Sequence, residues 1–302
     1  MRSAGVGLAV AVASCAASGR DTPAERPRFE GARAQAAVEA QVAFGPRVPG
    51  TPEHDAMRAW LVATLDRLAS KVEEDRFTAA RVGMVNVVAR FRPDQEQRVM
   101  LFAHWDTRPR AEHDPDPARR EEPIPGANDG ASGVAVLLEL ARLFHASPPA
   151  LGVDLVFLDG EDFGTFEPAL ADVLLGAQRF AKTYRGPRPR FGILLDMVGD
   201  RDLRIPREQN SEACCVRTLD KIWALAKELG HGAVFVEAAG PSVLDDHIPL
   251  NRAALGVVDL IDIDYPSWHT THDTPDKTSA ASLGAVGEVL AELIYGERLT
   301  KK

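Results

Sequence analysis

The sequence predicts an α/β domain: a mixed, mostly parallel sheet with helices on both sides. Three observations carry that reading. Short apolar runs of strand length alternate with longer stretches whose apolar residues recur at helical spacing. The later short runs, at 155–158, 193–195 and 256–263, are apolar almost throughout, as strands buried on both faces are. No linker divides the chain beyond residue 28, so most of the 302 residues form one unit.

The elements follow in order. Residues 31–43 are Ala-rich and read as a helix, and 45–50 as a loop. Thr51-Pro52 opens the next helix, with Thr at the N-cap and Pro at the first helical position. Met57, Trp60, Leu61, Leu65 and Leu68 form its apolar stripe. Residues 71–77, 84–91 and 98–104 read as strands. A helix at 130–145 precedes the strand at 155–158, and a helix at 173–183 precedes that at 193–195. A helix at 213–229, the strand at 256–263 and a helix at 281–295 complete the chain. Cys214 and Cys215 fall at a helix start. Adjacent cysteines close only a strained ring, so two packed thiols are expected there, although an exported compartment permits oxidation.

Composition excludes several classes. The formal net charge is −9, and a nucleic-acid binder usually presents a basic face. With 3 cysteines the chain is neither a disulfide scaffold nor the holder of a four-thiolate zinc site. The N-terminus reads separately from the fold. Arg2 precedes an apolar run over 4–13, too short for the ~20 residues that span a bilayer but suited to a secretory signal. Val12-Ala13-Ser14-Cys15 resembles the bacterial lipoprotein box, which implies cleavage before Cys15 and lipid on it. Residues 1–14 are then a signal peptide, 15–28 a tether and 29–302 the folded domain. The expected location is exported, periplasmic or cell-surface, with membrane contact only through the anchor.

The chemistry-bearing residues lie just beyond the apolar strands. Residues 99–103 run into His104-Trp105-Asp106, 155–158 into Asp159-Gly160-Glu161-Asp162, and 193–195 into Asp196. The last strand leads to Tyr265, Trp268 and His269, and Asp129 opens a helix in Gly126-Ala127-Asn128-Asp129-Gly130. Open α/β sheets bind ligands at the carboxyl ends of their strands. A single Asp after a strand is often only a cap, but several strand ends each delivering Asp, Glu or His predict convergence on one crevice. Imidazole and carboxylate without thiolate suit zinc or another borderline metal. Asp106 would orient a ligating His104.

Together His104-Trp105-Asp106, Gly126 to Gly133, Asp159 to Asp162, Leu195-Asp196-Met197 and His269 to Thr274 resemble the zinc exopeptidase family. That family contains bacterial leucyl aminopeptidases and animal-type glutaminyl-peptide cyclotransferases. The resemblance implies a three-layer α/β/α sandwich around the mixed sheet. On the aminopeptidase pattern Asp129 bridges two zinc ions, His104 and Asp196 complete one, Asp162 and His269 the other, and Glu161 is the general base. On the cyclotransferase pattern one zinc sits on Asp129, Asp162 and His269, Glu161 shuttles the proton, and Asp196 and Asp245 join a hydrogen-bond network at the substrate.

Asp245-Asp246-His247, Trp268 before His269 and the insertion at 163–174 resemble the cyclotransferase branch; the aminopeptidases usually carry Ser in place of Asp245. Two departures stand out. Asp162 replaces the Glu of the animal enzymes, and no Trp follows in 163–174, so Phe166 is the expected wall beside Trp268 and Tyr265. Asp245-Asp246 also reads as a cap for a helix from His247. His113 and His272 are expected at the surface or outside the metal shell. The implied substrate is a peptide or protein N-terminus. Cyclisation of N-terminal Gln comes first, with one zinc; a two-zinc aminopeptidase is the alternative. A metal-binding interaction module is a third reading, disfavoured because a structural site needs no Glu161.

Overall fold

A computed structural model of the chain describes Met1 and residues 26–166 and 171–300. Cys15, the lipoprotein box and all of the leader except Met1 lie outside the described residues. The strands are β1 (Lys71–Ala79), β2 (Val82–Phe91), β3 (Arg98–His104), β4 (Gly152–Leu158), β5 (Gly192–Asp196), β6 (Ile205–Arg207), β7 (Phe235–Ala239) and β8 (Val257–Ile261). The helices are α1 (Gly31–Val42), α2 (Pro52–Leu65), α3 (Ala131–Ala146), α4 (Leu175–Thr183), α5 (Gln209–Glu228), α6 (His247–Arg252) and α7 (Ala280–Gly296).

The main sheet has six strands in the order β1-β2-β4-β3-β5-β8. β1, β2 and β4 pair antiparallel, while β4, β3, β5 and β8 run parallel. Alternation along each strand sorts the core into two layers. Val99, Leu101 and Ala103 of β3 face a core built with α1, α2, α3, α5 and α7. Met100 and Phe102 face the other way, onto Ala177 and Phe180 of α4 and Leu250 of α6. The result is the expected sandwich. α3 is buried along nearly its whole length, so it shows apolar residues all round rather than a stripe.

Thr51 caps α2 as expected, its side chain accepting from the His54 amide at 3.3 Å. Elsewhere local rules differ from the sequence reading. β1 and β2 are longer than expected because Ala80 and Arg81 turn the hairpin at φ 47 and 64, with no Asn or Gly to announce it. α5 begins at Gln209 because Glu208 accepts from the amides of Asn210 and Ser211 at 2.9 and 2.6 Å, an uncommon cap residue. The short parallel pair β6-β7 was not foreseen. Cys214 and Cys215 correct the two-thiol expectation: they form a disulfide. The chain leaves helical geometry at Cys215 (φ −142, ψ 27), which allows two neighbouring sulfurs to meet. No helix among the described residues is long and apolar enough to cross a membrane.

Candidate metal and substrate site

The parallel strands deliver their acids and imidazoles to one end of the sheet. β3 ends at His104 and β5 at Asp196, the turn after β4 carries Glu161 and Asp162, and the loop after β8 carries His269. Asp129, in the turn before α3, stands between them. Its Oδ1 lies 3.2 Å from His104 Nε2, which is also 3.2 Å from Asp196 Oδ1. Its Oδ2 lies 3.7 Å from His269 Nε2, which is 3.4 Å from Asp162 Oδ1. Asp129 thus belongs to two donor groups, His104/Asp129/Asp196 and Asp129/Asp162/His269.

The second group fits a zinc ion. Oδ2 of Asp129 and Oδ2 of Asp162 are buried without a hydrogen-bond partner among the described residues. Burial, followed by the charge of Asp162, pushes Asp129 up to about 6, as crowded buried carboxylates respond; a bound cation would relieve that repulsion. Burial alone would raise Asp162, but His269 and Arg108 hold it well below the usual carboxylate range. Two carboxylates and one imidazole, with space on one side, match a catalytic zinc site that keeps a position open.

Neighbours hold each donor in place. Asp106 lies 3.6 Å from His104 Nδ1 and accepts from the amides of Glu161 and Asp162, both at 3.2 Å. It therefore sets the acid pair and stands beside the imidazole. Gly130 lies against the His104 ring, where a Cβ would come within 2.7 Å. Met197 and His269 sit at φ 48 and 54, a strained region that such sites maintain by surrounding contacts.

Several supports escaped the sequence reading. Asp273 accepts from the amides of Asn128 and Asp129 at 2.8 and 3.1 Å. Buried Arg47 donates to the carbonyls of Pro125 and Gly126, both at 2.6 Å. Arg108 donates to Asp162 Oδ1 at 2.9 Å and to Glu112 Oε1 at 2.6 Å, and Glu112 Oε1 lies 3.2 Å from His269 Nδ1. Trp105 is wholly buried, stacked on His54 with ring centroids 4.2 Å apart.

A cavity of about 350 Å³ opens over the second donor group, with Glu161, Phe166, Asp196, Asp245, Trp268 and His269 in its lining. Phe166 and Trp268 are the walls expected. Tyr265 is not: it is 4 % exposed, and its hydroxyl donates to Asp273 at 2.7 Å. A phenol committed to a buried carboxylate supports the floor from behind. Glu161 is buried beside Asp162, and burial and that charge raise it well above its ordinary range. Burial and the charge of Asp196 push Asp245 up to about 8, as expected for close carboxylates. α6 does start at His247, but neither acid before it caps it by a side chain. Asp245 forms a third buried donor group with His247 and Asp259, and Asp246 is buried beside it. His272 is exposed. His113 is exposed too, yet its ring lies 5.4 Å from that of His269.

The fold and this donor set define a Zn-dependent exopeptidase-like protein. The chain belongs to peptidase family M28, whose model matches residues 86–294. It is similar to the Tannerella forsythia glutaminyl cyclase structure, at 41% identity and a TM-score of 0.86 over 90% of this chain and 100% of that one. A Zn-dependent exopeptidase structure from Parabacteroides distasonis is 37% identical, with a TM-score of 0.86 over 90% of this chain and 100% of that one. A glutaminyl-peptide cyclotransferase of Drosophila melanogaster is 29% identical over 262 residues, 76% of this chain and 70% of the relative.

Proposed function

We propose that this chain is a zinc-dependent glutaminyl-peptide cyclotransferase, which converts an N-terminal Gln into pyroglutamate and releases ammonia. The observation that carries the reading is Glu161 beside the Asp129/Asp162/His269 donor set, facing a small cavity walled by Phe166 and Trp268 with Asp196 and Asp245 at its side. The similarity to glutaminyl cyclases and to cyclotransferases supports it.

Asp129, Asp162 and His269 would hold one zinc ion, which when bound polarises the γ-carboxamide oxygen as a Lewis acid. Glu161 takes a proton from the α-amine as its nitrogen attacks the carbonyl carbon (Cδ) of the γ-carboxamide, and returns one to the amide nitrogen, which leaves as ammonia when the C–N bond breaks. A positioned acid–base group of this kind is worth ~10²–10⁴-fold. Phe166 and Trp268 pack on the glutaminyl methylenes and keep water away. Asp245, able to hold a proton near neutrality, and Asp196 accept or donate at the amide nitrogen.

The complete His104/Asp129/Asp196 group favours the two-zinc aminopeptidase as the second reading. Substrate chemistry separates the two. A cyclotransferase substrate carries its own nucleophile, so Gln-peptides are expected to lose the mass of one ammonia while Leu-peptides stay intact. A chelator abolishes the reaction and zinc restores it. Free leucine from Leu-peptides, with no ammonia from Gln-peptides, would falsify the assignment. Val12-Ala13-Ser14-Cys15 supports a further reading, export with lipid on Cys15 as the membrane anchor.

A further inference from the structure

A second cavity, of about 510 Å³, adjoins the first. Phe166, Trp268 and His269 line both, so the second begins where the aromatic walls of the first end. Its remaining lining comes mostly from residues 108–121 and is locally basic, against the trend of a chain with net charge −9.

The charges there are not equivalent. Arg108 is committed to Glu112 and Asp162, and Glu112 to Arg108 and His269. These four groups offset one another in charge. Arg120 donates from Nε to the neutral Asp114 carbonyl at 2.9 Å, which leaves its charge unmatched. Arg110 is half-buried and makes no hydrogen bond or ion pair among the described residues. Glu121 is the one opposing acid in the lining that is not engaged. A partly desolvated guanidinium without an acceptor is unfavourable, and its planar fork suits a carboxylate.

We propose that this second cavity takes the residues following the N-terminal Gln, and that Arg110 with Arg120 selects substrates carrying an acidic side chain at the second or third position. The inference rests on the cyclotransferase reading. Cyclisation needs both the α-amine and the γ-amide at Glu161, so the chain beyond the first residue must leave past the cavity wall. The cavity across Trp268 and Phe166 is a neighbouring space with unmatched charge.

The test is ammonia release from the peptide amides Gln-Glu-Ala and Gln-Ala-Glu, their Lys counterparts, and neutral Gln-Ala-Ala. An exposed to half-buried pair is worth roughly 2–5-fold. The Glu-over-Lys ratio of kcat/KM should therefore reach roughly 4–20-fold at one of the two positions and shrink at high salt. Arg110→Glu should bring the ratio to one or below. Arg110→Gln, the milder change, should lower it if the Glu variant does not fold. A wild-type ratio of one, with Gln-Ala-Ala still turned over, overturns this inference and leaves the cyclotransferase reading standing. A ratio unmoved in both variants overturns it as well. No ammonia from Gln-Ala-Ala overturns the cyclotransferase reading, and this inference with it.

Discussion

Glu112 is the residue whose removal tests how the zinc site is built. Its Oε1 lies 3.2 Å from His269 Nδ1, while Nε2 of the same ring faces Asp129 and Asp162. The same oxygen accepts from Arg108 Nε at 2.6 Å, and Arg108 reaches Asp162 at 2.9 Å. One carboxylate therefore orients one ligand directly and a second through Arg108. Burial would raise Glu112, but His269 and Arg108 bring it down to about 2, so it stays ionised at working pH. Losing such an orienting partner costs ~10–100-fold in metal affinity, about 1.4–2.7 kcal/mol. Glu112→Gln keeps an acceptor and should fall at the lower end. Glu112→Ala also frees Arg108 to draw on Asp162, and should reach the upper end. The assay is competition for zinc with a chromophoric chelator, alongside thermal melts of the apoprotein. A merely structural role would lower the apoprotein Tm and leave the zinc Kd alone. A Kd within twofold of wild type in both variants would refute the reasoning.

Glu161→Gln should keep its zinc and lose at least ~10²-fold in turnover; metal analysis beside an ammonia assay checks it, and a loss below tenfold removes Glu161 as the shuttle. Tyr265→Phe takes away the hydroxyl that donates to Asp273 and should cost about 1–3 kcal/mol with KM unchanged. A raised KM at unchanged stability would return Tyr265 to the pocket wall. Asp245→Ser removes the proton-holding carboxyl near Asp196, so bound zinc should rise from about one ion per chain toward two. Zinc content identical to wild type would sever that link. Cys15→Ala should shift the protein from the detergent phase to the aqueous phase, and equal partitioning of both forms would exclude the anchor.

The strands and the candidate metal donors were legible for one reason: both are local patterns. An apolar run ending in an acid or imidazole marks a buried parallel strand and the crevice at its end. That places His104, Asp162 and Asp196 without any knowledge of their contacts. The supports have no such signature. Asp273 serves Asn128 across 145 residues of chain, and Arg47 serves Gly126 across 79. An aspartate or arginine in a loop looks the same whether solvated or buried. Tyr265 was misread on that account, since its position near His269 in sequence says nothing of which side of the floor its hydroxyl reaches. Cys214-Cys215 depends on a break in helical geometry at Cys215, and the β1-β2 turn on two non-glycine residues with positive φ. Neither is written in residue type.

The number of ions turns on a contrast that geometry alone does not draw. Asp129 offers one oxygen to each donor group, and each group has a carboxylate and an imidazole besides. Their outer neighbours differ. Asp162 and His269 have Arg108 and Glu112 behind them: Arg108 helps keep Asp162 ionised, and Glu112 faces Nδ1 of His269, leaving Nε2 toward Asp129 and Asp162. Asp196 has Asp245 near it, and Asp245 is pushed up to about 8, where it carries a proton at neutral pH. A protonated carboxyl is a donor. An Asp196 oxygen that accepts from it, or from the amide nitrogen of a substrate, is a poorer ligand than one left free. The same frame can then leave His104 as a hydrogen-bond partner of Asp196 rather than a zinc ligand. On the proposed reading, one acid at position 245 would shift Asp196 from holding a second metal toward holding the amide of Gln.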